Sequence, residues 1–338
     1  MKKYLIPEGG KFYKASLHTH TTQSDGTQTP EEVKAMYKAH GYSVVAFTDH
    51  EVFIPHNEMT EGDFLVLNGI EAAVGSILPG YYKSCDMGLI ALSPDIINHP
   101  LWHRSKFRGG RVTDETRAKI RFDESLPDFE RNYHVGCVNQ MMQTAKEKGF
   151  FVIYNHPQSS LEEYTEYAHY YPHAMEMYNH CAVVADGVFE YNGDVYDEML
   201  RSGKRIYCVY TDDVHDVKDG FHGWVMIKAD RLDYPTVAKA LLDGNFYSSM
   251  GPEINAIWYE DGAIHITFPR AERIVMLSAT RRMMLLCAPN GDPDSWHEAV
   301  FPLDGTECFV RFTLFDENRR TADTNAYFLD EIDEAYRK

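Results

Sequence analysis

The chain has 338 residues, 44% of them apolar and 13% aromatic, which is enough to bury a sizeable core and argues against disorder. No apolar run reaches about 18 residues, the length of a membrane span, and MKKYLIPEGG is too poor in apolar residues for a secretion leader, so the expectation is a cytoplasmic protein. The 51 acidic against 33 basic residues give a net charge of −18, a field that repels long polyanions but leaves room for a small anionic substrate.

In chain order, TPEEVKAMYKAHG reads as a helix with Thr29 as N-cap, Pro30 in the first turn and a stop at Gly41. SVVAFTDH, FLVLNGIE and MGLIAL follow as buried strands. VNQMMQTAKEKG then feeds the strand FVIYNHP, and GDVYDEMLRSGK feeds RIYCVYTDD. Helices each followed by a β-rich run argue for a parallel sheet or barrel. After about residue 252 the texture changes to short alternating runs (AIHITF, RIVMLSA, MMLLCA, ECFVRFTLFD, NAYFLD) separated by turn-formers. This predicts an α/β domain over residues 1–250, with an insertion at about 95–135, and a small antiparallel β-sandwich over 251–338. The six cysteines (Cys85, Cys137, Cys181, Cys208, Cys287, Cys308) are scattered without a CxxC pair, which reads as reduced core thiols.

Residues with chemistry to offer recur where apolar strands end, the place where α/β folds build their sites. His18 and His20 alternate on a strand, so both rings point one way and could chelate one divalent ion. Asp25 lies in a Ser-Asp-Gly turn from which a carboxylate can return to that ion. AFTDH delivers His50 as a ligand, with Asp49 beside it to orient an imidazole. Glu71 can bridge two ions, His156 is expected in extended backbone ahead of Pro157, and Asp213 with His215 repeats the alternating pair. Between Leu101 and Phe122 the balance is +5, and Arg104, Lys106, Arg108 and Arg111 suggest a clamp for substrate phosphate.

Taken in order, HTH, SDG, TDH, GIE, NHP and DVH resemble the PHP (polymerase and histidinol phosphatase) family over roughly residues 10–250. The resemblance implies a distorted (β/α)7 barrel with two or three divalent ions, manganese, iron, zinc or magnesium. It implies ligation by His18, His20, Asp25, His50, Glu71, His156, Asp213 and His215. The family usually has another histidine on the strand that here reads KSCDMGLIAL; Asp86 is the nearest group, and a carboxylate there would favour manganese, iron or magnesium over zinc. LLDGNFYSSMGPEI and the β-rich tail resemble a two-domain bacterial subgroup of phosphoesterases. The implied reaction is hydrolysis of a phosphomonoester or small nucleotide-like diester by a hydroxide bridging two ions, with Asp213 or Asp49 accepting a proton and His180 or His222 protonating the leaving oxygen. Two alternatives stand beside it: an exonuclease acting on RNA or DNA ends, and a non-catalytic metal-stabilised binding module. No protein partner can be read from the residues.

Overall fold

The computed structural model describes residues 2–76, 82–185 and 191–336. The first elements are β1 (Lys3–Tyr4), β2 (Lys11–Ser16), α1 (Pro30–Ala39), β3 (Val44–Phe47), β4 (Leu65–Gly75) and β5 (Ser84–Ala91). Next come α2 (Asp114–Lys119), α3 (Val135–Glu147), β6 (Phe150–Tyr154), α4 (Tyr164–Tyr167), β7 (Ala174–Asn179), α5 (His180–Ala185), α6 (Gly193–Arg201) and β8 (Tyr207–Thr211). β9 (Trp224–Ala229), α7 (Tyr234–Leu242) and β10 (Phe246–Ser249) lead to the strand-rich end. That end holds β11 (Ala256–Glu260), β12 (Ala263–Thr267), β13 (Arg273–Ser278), β14 (Met284–Cys287), β15 (Glu298–Pro302), β16 (Phe309–Phe315), β17 (Thr321–Thr324), β18 (Tyr327–Phe328) and α8 (Leu329–Ile332). The molecule is mixed α/β, with one large sheet and few helices.

Local chemistry explains the elements that carry the site. Thr29 caps α1 by accepting from Glu32 N, while Glu32 reaches back to Thr29 N, a reciprocal cap. The helix lays Val33 and Tyr37 into the core beneath β3, each contributing about 1.5–3 kcal/mol of burial. Every side chain of β3 and β6 is buried, as expected for strands covered on both faces.

β2, β3 and β4 run parallel, as do β6, β7 and β8. Thr19, just past β2, makes a parallel bridge to Val214, just past β8, and His20 N donates to Val214 O at 2.9 Å. The first and last strands of this run are therefore joined at the end where the histidines lie. One strand departs from the parallel expectation: β5 is antiparallel to both β4 and β6. Parallel neighbours need a crossover of about a dozen residues or more, and residues 76–83 are too few to supply one.

β9 pairs with β2, β10 with β9, and β17 with β10, so the large sheet continues past residue 250 into β16, β13 and β14. β1, β11, β12 and β15 form a second sheet. Ile257, Ile264 and Phe301 from it meet Ile274, Phe312 and Leu314 from the large sheet in one apolar cluster. Among the described residues, no helix is long and apolar enough to cross a membrane.

Candidate metal centre

Strand ends, the middle of β4 and the start of β5 bring His18, His20, Asp25, His50, Glu71, Asp86, His156, Asp213 and His215 into one cluster, buried at His18, His20, Glu71 and Asp213 and half-buried elsewhere. His18 and His20 follow β2 with their Nε2 atoms 3.1 Å apart. Glu71 Oε2 stands 3.3 Å from each of these nitrogens and 2.9 Å from His50 Nδ1. Asp213 Oδ1 is 3.1 Å from His18 Nε2 and 3.0 Å from His20 Nε2. Asp25 reaches His20, His50 and His215 at 3.6, 3.8 and 3.4 Å. On the far side of Glu71, its Oε1 lies 3.3 Å from His156 Nε2, which is 3.9 Å from Asp86 Oδ2.

Two of the cluster's oxygens, Glu71 Oε2 and Asp213 Oδ1, are buried without a hydrogen-bond partner, as is Asp86 Oδ1. Such atoms are costly unless something satisfies them. Spacings near 3 Å between nitrogen and oxygen are those of ligands held at about 2.1 Å around a shared divalent ion, so the donor set fits metal ions. Without a cation the cluster must balance its own charge. Burial opposes ionisation of His50, but Glu71, Asp25 and Asp86 outweigh it and raise the imidazole to about 9. His215 is likewise raised to about 12 against its burial, chiefly by Asp25. Glu71 and Asp213, despite burial, are held well below the usual carboxylate range by the surrounding histidines. Asp86 goes the other way: burial and the charge of Glu71 raise it to about 6.

Two features of the backbone depart from the reading of the sequence. His156 has φ +23° rather than the extended value expected ahead of Pro157. Its N–H donates to Glu176 Oε2 at 2.8 Å and its carbonyl accepts from Ser160 N at 3.1 Å, so tertiary bonds hold a conformation the chain alone disfavours. Glu71, expected where its strand ends, lies in the middle of β4, which runs on to Gly75, and Asp86 comes from the beginning of β5. Because β5 is antiparallel, its start lies at the same end as the C-termini of the parallel strands.

Several expected site residues are engaged elsewhere. Among the described residues, Asp49 hydrogen-bonds to no imidazole. Its Oδ1 accepts from Thr21 N, Ser24 N and Ser24 Oγ at 2.7, 3.1 and 2.6 Å, and its Oδ2 from Thr21 Oγ1 at 2.8 Å, which clamps the turn carrying Asp25. His180 and His222 stack on each other at 3.6 Å, and His180 Nδ1 is bonded to Tyr178 OH at 2.6 Å. Burial and His222 lower His180 to about 4. Neither ring lines the cavity beside the cluster. Arg104, Lys106 and Arg108 pair with Asp128, Glu130 and Asp114 at 2.6, 2.7 and 2.5 Å, neutralised by acidic residues of the insertion itself. Arg111 alone of these four lines the cavity, whose volume is about 820 Å³ and whose wall includes Asp86, His156, Asp213 and His215.

The structure adds groups that the sequence reading passed over. Glu176, fully buried in β7, binds His18 Nδ1 at 2.6 Å and accepts from Thr211 Oγ1 at 2.6 Å and Asn179 Nδ2 at 2.9 Å. That bond turns His18 Nε2 toward the cluster. A carboxylate inside the apolar run AMEMYN was the available signal. Asn155 Nδ2 holds Glu71 Oε1 at 2.7 Å while its Oδ1 accepts from Gly88 N at 3.0 Å. Cys181, read as a core thiol, lies 3.7 Å from His215 Nδ1 on the cavity wall, and Lys218 lines the same cavity.

No protein-family model and no curated protein matches this chain. Solved structures of distant similarity exist. One is a two-domain protein from Bacteroides vulgatus containing a predicted PHP-like metal-dependent phosphoesterase, 13% identical over 97% of this chain and 98% of its own, TM-score 0.44. A provisionally named metal-dependent phosphoesterase from Bifidobacterium adolescentis is 16% identical over 62% of this chain and 89% of its own, TM-score 0.37. PsfC from Pseudomonas syringae is 10% identical over 69% of this chain and 88% of its own, TM-score 0.38.

Proposed function

We propose that this chain is a metal-dependent phosphoesterase of the PHP family, acting on a small phosphorylated substrate, its sheet a (β/α)7-type barrel joined to a β-sandwich. The observation that carries the reading is the nine-residue histidine and carboxylate cluster with two buried, unpartnered oxygens, Glu71 Oε2 and Asp213 Oδ1, between its imidazoles. Divalent ions bound there would supply Lewis acidity toward a phosphoryl oxygen and bring the pKa of a bound water toward about 7.

The chain's own residues prepare the place. Glu176 holds His18 in the tautomer that leaves Nε2 free to act as a donor atom. Asp49 fixes the turn that aims Asp25 at His20, His50 and His215. Arg111 and Lys218 put positive charge on the wall of an otherwise acidic cavity, where an anionic substrate would be drawn. The cavity suits a small molecule, and the charge of −18 weighs against RNA or DNA ends as substrate. A scaffold that used metal for stability alone would have no need of a cavity opening on its ligands.

The test is hydrolysis of p-nitrophenyl phosphate and its bis-ester by the purified chain, with bound metal counted. Chelation should abolish turnover, manganese should restore it, and His20→Ala should lower both metal content and rate. A chain that takes up less than one equivalent of metal, or hydrolyses undiminished after chelation, would overturn the reading.

A further inference from the structure

The cluster is not chemically uniform, and its two ends differ in a way that selects between metal ions. At one end His20, His50 and His215 join a single carboxylate, Asp25, with ligand atoms all within 4.8 Å of one another. At the other, Glu71 and Asp86 join a single imidazole, His156, at the same closeness. Imidazoles suit zinc and iron, whereas carboxylate oxygens suit manganese and magnesium. We propose that the Asp86 end is a distinct position selective for a hard divalent cation, manganese or magnesium, so that the loaded centre carries two kinds of metal. The proposal rests on the metal-dependent reading above and adds to it which ion sits where.

Three observations support it. Asp86 Oδ1 is buried and has no hydrogen-bond partner, so its carboxylate is made to meet something that is not protein. The donor atoms around it are already aimed. Ser160 Oγ lies 3.3 Å from His156 Nδ1, which leaves Nε2 toward Glu71 and Asp86, and Asn155 Nδ2 anchors Glu71 Oε1 at 2.7 Å. Asp86 is itself held from behind, where its carbonyl accepts from Asn155 N at 3.0 Å. The third observation is access. Asp86 and His156 form part of the cavity wall, with 16% and 13% of their side chains exposed, whereas Glu71 is wholly enclosed. An ion at this end can be reached through the cavity, as can one held by Asp25 and His215, which line the same wall, so what sets the Asp86 end apart is its donor chemistry.

The experiment strips the full-length protein with a chelator, saturates it with zinc, removes the excess, and titrates manganese while free Mn²⁺ is followed by its electron paramagnetic resonance signal. Zinc-loaded protein should bind one further manganese. Asp86→Asn should weaken that binding at least about 10–100-fold, the range already lost when only a supporting partner of a ligand is removed, with its zinc content unchanged. Asp86→His should make the position accept zinc and exclude manganese. The inference is overturned if Asp86→Asn binds manganese as the parent does, or if zinc fills every position of the parent. Failure of the chain to hold zinc at all would instead overturn the metal-dependent reading, and the unchanged zinc content of Asp86→Asn serves as its folding control.

Discussion

At the scale of single residues, the site depends on how its carboxylates are spent. Glu176 and Asp49 are both buried acids near the cluster, but one steers an imidazole and the other pins a turn. Gly26 belongs to that turn, since a Cβ there would come within 2.7 Å of the His20 carbonyl. The cations divide just as sharply. Arg104 is consumed by Asp128 and by the carbonyls of Glu124 and Leu126, while Arg111 makes no ion pair among the described residues and lines the cavity. On the proposed function, Arg111→Ala should raise KM for a phosphoester about 10–100-fold, about what one charge-assisted bond of 1.5–3 kcal/mol supplies, with kcat little changed. Arg104→Ala should leave KM where it was. Steady-state kinetics of the two variants decide this, and equal effects would show that the clamp had been divided wrongly.

At the scale of elements, the segment between β5 and α3 is tied to the metal centre by one buried ion pair. Arg131 bonds both oxygens of Glu51 at 2.5 and 3.0 Å and donates to the carbonyls of Ala73 and Leu101, each at 2.8 Å. Glu51 immediately follows His50 and takes φ +58°, a conformation that its bonds to Arg131 and Ala73 N help to impose. Gly109 of the same segment lies so close that a Cβ there would meet His50 O at 2.7 Å. Removing one partner of a buried pair leaves an uncompensated charge, so Arg131→Met should cost about 3–5 kcal/mol. Replacing both, Arg131→Met with Glu51→Met, should recover most of that loss. Denaturant unfolding of the three proteins is the measurement, and a single variant as stable as the parent would sink the argument.

At the scale of the whole molecule, residue 250 separates two textures of sequence without interrupting the sheet. β10 pairs with β17, and Asn325 reaches back across the divide: its Oδ1 accepts from Cys208 N at 3.0 Å, and its Nδ2 donates to Gly244 O and Phe246 O. Arg311 is buried in bidentate contact with Asp197 of α6, at 2.7 and 3.0 Å, and bonds Asp323 at 3.1 Å. A fragment ending at residue 250 would deprive Asp197 of its bidentate Arg311 partner, leaving only Arg201 at 3.8 Å, and would leave β10 with a bare edge. Against a total stability of about 5–15 kcal/mol, the loss of such a pair alone is severe. The fragment 1–250 should therefore show no cooperative thermal transition by circular dichroism, while the full chain unfolds in one. A fragment that melts cooperatively would show that the first part stands alone.

Much of this protein was legible in its residues because the information is local. The capping box of α1, the apolar runs of β3 and β6, and the His-X-His at His18 and His20 each follow from spacings of two to four positions. The convergence of His50, His156, Asp213 and His215 could also be inferred, because each sits just past the end of a buried strand, whereas Glu71 proves to lie in the middle of β4. The direction of β5 follows from its short connection to β4, but the left-handed backbone of His156 and the division of labour among Asp49, Glu176, Arg104 and Arg111 could not be read that way. Each depends on which distant group arrives first at a given atom: Thr21 at Asp49, His18 at Glu176, Asp128 at Arg104. Pairwise bonds between residues as far apart as His18 and Glu176 exist only once the chain has folded, so the sequence determined which kinds of donor this site owns, and the tertiary structure alone decided which of them remain free for metal and substrate.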